Sequence, residues 1–132
     1  MINKRILKWP ANANQGVLSH SENGNNNNNK TVNPPLHGLF VDYSGALYVA
    51  DQYNDQVLRF LPGSLTPSVI VGGKGRGCGY NELAAPTDVT MDRDGNLYVS
   101  AIRCSQVYMY KIDTSLCRCS CTCRKFFNFV LD

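Results

Sequence analysis

The sequence predicts an all-β fold built by repetition of one antiparallel sheet unit, and three observations lead there. Gly45-Ala46-Leu47-Tyr48-Val49-Ala50 returns as Gly95-Asn96-Leu97-Tyr98-Val99-Ser100, an offset of 50 residues. Short runs of residues that suit a pleated surface are punctuated by Gly, Pro, Asp and Asn. No segment holds a helical period beyond a turn or two.

The same offset carries Leu39 onto Val89, Asp42 onto Asp92, Gln56-Val57 onto Gln106-Val107 and Phe60 onto Tyr110. Such a period marks units that cannot bury an apolar face alone and therefore stack on their neighbours. Arg5-Ile6-Leu7-Lys8-Trp9-Pro10 reads like Gln56-Val57-Leu58-Arg59-Phe60-Leu61, so the chain is expected to open inside a further copy.

Taken in order, residues 1–33 read as the end of a preceding unit plus a loop, in which five consecutive Asn form a polar, disordered tract. Residues 34–85 hold a full unit and its linker. Gly38–Val41 and Leu47–Ala50 pair as a hairpin around Asp42-Tyr43-Ser44-Gly45, with Gly45 supplying the left-handed position. Val57–Phe60 is the third strand, Pro62-Gly63 the next turn and Ser68–Val71 the fourth strand. Glycine-rich Gly72–Gly79 crosses to the next unit, which Pro86 announces. Residues 86–112 repeat the hairpin around Asp92-Arg93-Asp94-Gly95 and continue to Val107–Tyr110. Four short antiparallel strands per unit is the design of a β-propeller blade. Residues 113–132 break the composition and read as a disordered, Cys-rich tail in place of a fourth strand.

These residues resemble the NHL repeat, a propeller-blade family with the pattern Pro-x-Gly-Ile-Ala-Val-Asp-x-x-Gly-x-Ile-Tyr-Val-Ala-Asp, followed by Asn-His-Arg-Ile. Gly38–Asp42 and Leu47–Asp51 match nearly throughout, and Asn54-Asp55-Gln56-Val57 keeps the first and last positions of the name-giving group. The second copy carries Pro86, Asp92, Gly95 and Leu97-Tyr98-Val99 but has Ala101 for Asp and Cys104-Ser105-Gln106 for Asn-His-Arg. Val69–Gly75 ahead of Asn81-Glu82-Leu83 looks like the inter-blade linker of invertebrate members built from long repeats. The resemblance implies an NHL-type propeller. Since about four to eight blades close a ring and 132 residues supply fewer than three, an incomplete propeller is expected, either a fragment or a piece that self-associates.

With 43% hydrophobic and 17% charged residues the chain can build a core, and a net charge of +3 is too small to argue for nucleic acid. No stretch nears the roughly 18 apolar residues of a membrane span, and Met1–Asn14 lacks the apolar core of a signal peptide. The compartment stays open.

Several constellations have simpler readings. Gly72–Gly79 follows a strand as a phosphate loop would, but Pro86 forbids the helix that such a loop must open. Asp92-Arg93-Asp94 has the opening spacing of a calcium loop without its later oxygen ligands, so turn chemistry is expected. Cys117, Cys119, Cys121 and Cys123 are spaced too densely for a structural zinc site. Cys78 and Cys104 fall in loops at one end, where a disulfide is conceivable in an extracellular protein; two free thiols are the default expectation. His37, placed just before the first strand, and His20 lie near no nucleophile pattern.

Alternation of strand direction brings the second-to-third-strand turns and the linker to one end. There Gln52, Tyr53, Asn54, Lys74, Arg76, Tyr80 and Arg103, with Ile102, form the candidate binding face. The expectation is a non-catalytic scaffold that binds a protein partner through this face, with no cofactor or metal. RNA binding by the same cations and aromatics is the alternative. A propeller enzyme of lyase or lactonase type ranks last, because it needs metal ligands along the central channel and the first-strand segments offer only His37, Asp42, Asp88 and Asp92.

Overall fold

The computed structural model describes residues 5–21, 36–64, 66–79 and 81–111. These form nine strands: β1 (Arg5–Lys8), β2 (Val17–Ser21), β3 (Leu36–Val41), β4 (Leu47–Asp51), β5 (Gln56–Phe60), β6 (Ser68–Gly72), β7 (Pro86–Met91), β8 (Asn96–Ala101) and β9 (Gln106–Lys111). A single 3-10 turn, Ile102–Cys104, joins β8 to β9, and no α-helix occurs among the described residues. The strands make three antiparallel sheets, ordered β1-β2, β3-β4-β5-β6 and β7-β8-β9. The fold is all-β. His37 lies within β3, exposed, and not in a loop ahead of it, because the strand begins at Leu36. The Asn tract and the Cys117–Cys123 segment lie outside the described residues.

The sequence period is also a structural one. Phe40 faces Tyr48 and Val41 faces Leu47, just as Thr90 faces Tyr98 and Met91 faces Leu97. Irregularities repeat too: each β3–β4-type pair slips register near the start of its first strand. β1–β2 slips between Ile6 and Leu7, and β5–β6 slips between Val57 and Leu58, the residues that the sequence sets in correspondence. The pair β1–β2 is therefore the counterpart of β5–β6.

Alternating side chains give a strand two faces, and the middle sheet is covered on both. Leu47, Val49, Leu58 and Phe60 pack with Ile6 of the first sheet. From the other face, Phe40, Tyr48, Ala50 and Val57 pack with Val89, Leu97, Val99 and Ala101 of the third sheet and with Leu83 of the linker. A fully buried large apolar side chain contributes roughly 1.5–3 kcal/mol, against about 1 kcal/mol for a typical hydrogen bond. Stacking of the sheets, more than any single turn, holds the molecule together.

The closest approach is between β3 and β7. Gly38 makes it possible, since a Cβ there would stand 2.5 Å from the Cα of Asp88 and 2.9 Å from the Val89 nitrogen.

Candidate binding face at the loop end

The two ends of the stack are built differently. At the hairpin end Asp42 and Asp92 close the β3–β4 and β7–β8 turns in the same way. The Asp42 carboxylate accepts bonds from the Ser44 hydroxyl (2.6 Å), the Ala46 amide (3.0 Å) and the Tyr48 hydroxyl (3.0 Å). The Asp92 carboxylate accepts from the Asp94 and Asn96 amides (both 2.9 Å), the Asn96 side-chain amide (2.7 Å) and the Tyr98 hydroxyl (3.0 Å). Gly45 and Gly95 take the left-handed conformation in these turns, at φ 83° and 85°.

This is turn chemistry, as expected for Asp92-Arg93-Asp94, and both Asp92 oxygens are committed to it. Bonds from the Asn96 side chain, followed by its amide and Tyr98, hold the Asp92 carboxyl below its ordinary value. Burial, with the Asp42 carboxylate next, pushes the Tyr48 hydroxyl up to about 12. Tyr98 is also raised, chiefly by its bond to Asp92. Among the described residues no group of three His, Cys, Asp or Glu side chains could hold a metal ion.

The loop end is organised around Asp55. This residue sits in the β4–β5 turn at φ 53°, a left-handed conformation that Asp tolerates better than most residues, and is only 6% exposed. One carboxylate oxygen accepts from the Ala85 amide at 2.8 Å, and the other from the Arg76 Nε at 2.9 Å. Its carbonyl accepts from the Gly73 amide at 3.1 Å. One turn residue thus fixes the start, middle and end of the linker. Beside it, fully buried Asp51 accepts from the Asn54 amide (3.2 Å), the Asn54 side chain (2.7 Å) and the Gln56 side chain (2.8 Å). A buried carboxylate is tolerated in a core only when its oxygens are hydrogen-bonded in this way.

On its far side the linker is joined to the third sheet. Cys78 and Cys104 form a disulfide, which corrects the free-thiol expectation: Arg76 and Leu83 pair across the linker and bring Cys78 over the β8–β9 turn. The Tyr108 hydroxyl donates to the Cys78 carbonyl at 3.1 Å. The Ile102 and Arg103 amides donate to the carbonyls of Ala85 (3.1 Å) and Ala84 (3.3 Å). Among the described residues no helix follows the glycines of the linker, so none presents an N-terminus to them as a phosphate loop requires.

Strand alternation thus brings the β4–β5 turn, the linker and the β8–β9 turn to one end. The candidate residues divide on inspection. Asn54 is spent on Asp51, and Arg76, though half exposed, is paired with Asp55. Gln52 is half-buried. Lys74 and Arg103 are exposed, and Tyr53 and Ile102 are each 65% exposed. Tyr80 lies outside the described residues. Asp55 was not legible as the organiser of this end; its one sequence signal is an Asp directly ahead of a strand, a residue type that tolerates positive φ.

A scan of protein-family models gives no match to the chain, and a search of curated proteins gives no match either.

Proposed function

We propose that the stacked sheets are blades of an NHL-type β-propeller and that the chain is a non-catalytic scaffold which binds a protein partner through its loop end. The observation that carries this reading is the exposure of Tyr53 and Ile102 at the same end. Each is 65% exposed, they stand on turns of two different sheets, and the linker pinned by Asp55 and Cys78–Cys104 joins those turns. Large side chains on a pre-ordered frame bind at a lower entropic cost than the same groups on mobile loops. Tyr and Arg are also over-represented among residues that dominate protein interfaces, and Arg103 and Lys74 are exposed at this end. The Cys78–Cys104 bond suits an oxidising compartment, so the partner is sought among secreted and cell-surface proteins.

RNA binding would rest on Lys74, Arg76 and Arg103, of which Arg76 is already neutralised by Asp55. That favours a protein partner. The test is a screen of secreted and cell-surface ectodomains against the wild-type chain, Tyr53→Ala/Ile102→Ala, and Arg93→Ala at the hairpin end. A partner whose affinity falls about thirtyfold or more in the double variant, and is unchanged in Arg93→Ala, supports the reading. Steeply salt-dependent binding to single-stranded RNA, or a partner indifferent to Tyr53 and Ile102, contradicts it.

A further inference from the structure

The two corners of the loop end are fixed by different chemistry, and only the second uses a bond that an external reagent can break. In the middle sheet the β4–β5 turn is held by the Asp51 and Asp55 carboxylates, with no covalent bond. Asn54 stands there where the next unit has Cys104. The repeat unit thus folds its corner without sulfur, and Cys78–Cys104 is added to a frame that has other supports.

Those supports lie on both sides of the bond. Leu83, Ala84 and Ala85 are 0%, 3% and 6% exposed, and the Ala84 and Ala85 carbonyls accept from the Arg103 and Ile102 amides. The Tyr108 hydroxyl reaches the Cys78 carbonyl. Opening the S–S bond leaves these hydrogen bonds in place, each contributing about 1 kcal/mol.

The two sulfurs are unequally placed. Cys78 is exposed. Cys104 is half-buried, packs on the core shared by the middle and third sheets, and has the Gly77 carbonyl 3.6 Å from its sulfur. An incoming thiolate attacks one sulfur while the other leaves, so exposure selects Cys78 for attack and Cys104 as the leaving group. Arg103, an exposed cation directly ahead of Cys104 in the chain, favours departure of that sulfur as a thiolate. The Glu82 carboxylate, close to Gly77 and Gly79, is engaged by the Gly79 amide at 3.0 Å.

From this we infer that Cys78–Cys104 is a thiol–disulfide exchange site for an external dithiol, open to reaction in the folded chain. A thiolate of the dithiol forms an S–S bond with the Cys78 sulfur, the Cys78–Cys104 bond breaks, and Cys104 leaves as a thiolate that takes a proton from water. The second thiol of the reagent then attacks the reagent's own sulfur in the mixed disulfide, and Cys78 is released and protonated in turn. Two electrons pass from the dithiol, which ends as a disulfide, to the protein pair, which ends as two thiols. Exposed disulfides are the labile ones, whereas shielded ones serve structure alone. The exchange alters one half of the loop end: the turn that carries Ile102 and Arg103 loses its covalent tie to the linker, while the turn that carries Tyr53 keeps both carboxylates. This inference is independent of what the loop end binds.

The test uses the full-length chain with Cys117→Ser, Cys119→Ser, Cys121→Ser and Cys123→Ser, in which Cys78 and Cys104 are the whole cysteine content. Dithiothreitol should reduce the pair about tenfold or more faster than the chain unfolds, at a rate proportional to the dithiol and unchanged by urea below the unfolding transition. Glutathione, a monothiol, stops at the mixed disulfide. After acid quenching, peptide mass mapping should find it on Cys78 about tenfold or more over Cys104. Free thiols at Cys78 and Cys104 in the purified chain overturn the inference at the outset. So does reduction that is no faster than unfolding and is accelerated by urea, or glutathione divided evenly between the two sulfurs or carried mainly by Cys104.

Discussion

The middle and third sheets are two readings of one sequence unit, and they differ most where their neighbours differ. Every residue of β4 is buried, whereas β8 alternates between buried and half-buried positions. Leu47-Tyr48-Val49 and Leu97-Tyr98-Val99 are identical in residue type, so the strand itself does not decide its burial. Cover does: among the described residues β4 has a sheet against each face and β8 against one. The same holds at the loop-end corners. Asp55 and Ser105 stand fifty residues apart, and both are left-handed, at φ 53° and 49°. The first corner is held by a buried carboxylate and the second by a disulfide. A repeat preserves the backbone path and leaves the means of fixing it free to change.

Matched substitutions fifty residues apart put this comparison at risk. Phe40→Ala removes a fully buried ring from between two sheets and is expected to cost about 4 kcal/mol. Thr90→Ala, at the same place in the third sheet but exposed, is expected to stay within about 0.5 kcal/mol. Denaturant unfolding of both variants measures the difference. Equal costs would mean that the two faces are covered alike.

At the corners, Asp55→Ala leaves Arg76 and the Ala85 amide without their acceptor and is expected to cost about 3 kcal/mol. Ser105→Ala is expected to be nearly neutral, because Ser105 is exposed and its bond to the Ile102 carbonyl is made by the backbone amide, which the substitution keeps. Reduction of Cys78–Cys104 should lower stability by about 2–4 kcal/mol and speed amide exchange at Ile102 and Arg103, leaving β4 and β5 protected. Uniform loss of protection would show that the corner is not a local device. Next in size, Gly38→Ala should destabilise by roughly 2 kcal/mol, since β7 backbone stands in the way of a Cβ; Asp88→Ala, its exposed counterpart, should change little.

The smallest effect expected is on pH dependence. The Tyr48 hydroxyl is raised from 10.0 to about 12, so its contribution to stability is complete below about pH 10 and is lost as pH rises towards 12. Tyr48→Phe should flatten this alkaline limb, and phenolate absorbance should show Tyr48 ionising after the exposed tyrosines. Asp92 is lowered from 3.8, so its contribution is present above that value and fades as pH falls below it. An Asp92→Asn variant with an unchanged acid limb would contradict the turn geometry.

What could be read in the sequence was what is local. The period, the hairpins, the left-handed Gly45 and Gly95 and the gathering of loops at one end all follow from residue type, spacing and strand alternation. The linker was legible as a crossing but not as a pinned element, because its anchors lie far off in sequence: Asp55 meets Ala85, and Cys78 meets Cys104. For the same reason the candidate face changed its membership. Asn54 and Arg76 look available in the sequence and are engaged in the structure, while Ile102, an apolar residue in a turn, proves as exposed as Tyr53.

The account rests on face-to-face stacking of the two fifty-residue units, and nuclear Overhauser contacts between β3 and β7 test it most directly. Gly38 and Asp88 α-protons should give a strong cross-peak, with no backbone hydrogen-bond ladder joining the two strands. Absence of that cross-peak, in a sample where Phe40 and Tyr48 still show their contact within one sheet, would contradict the stacking.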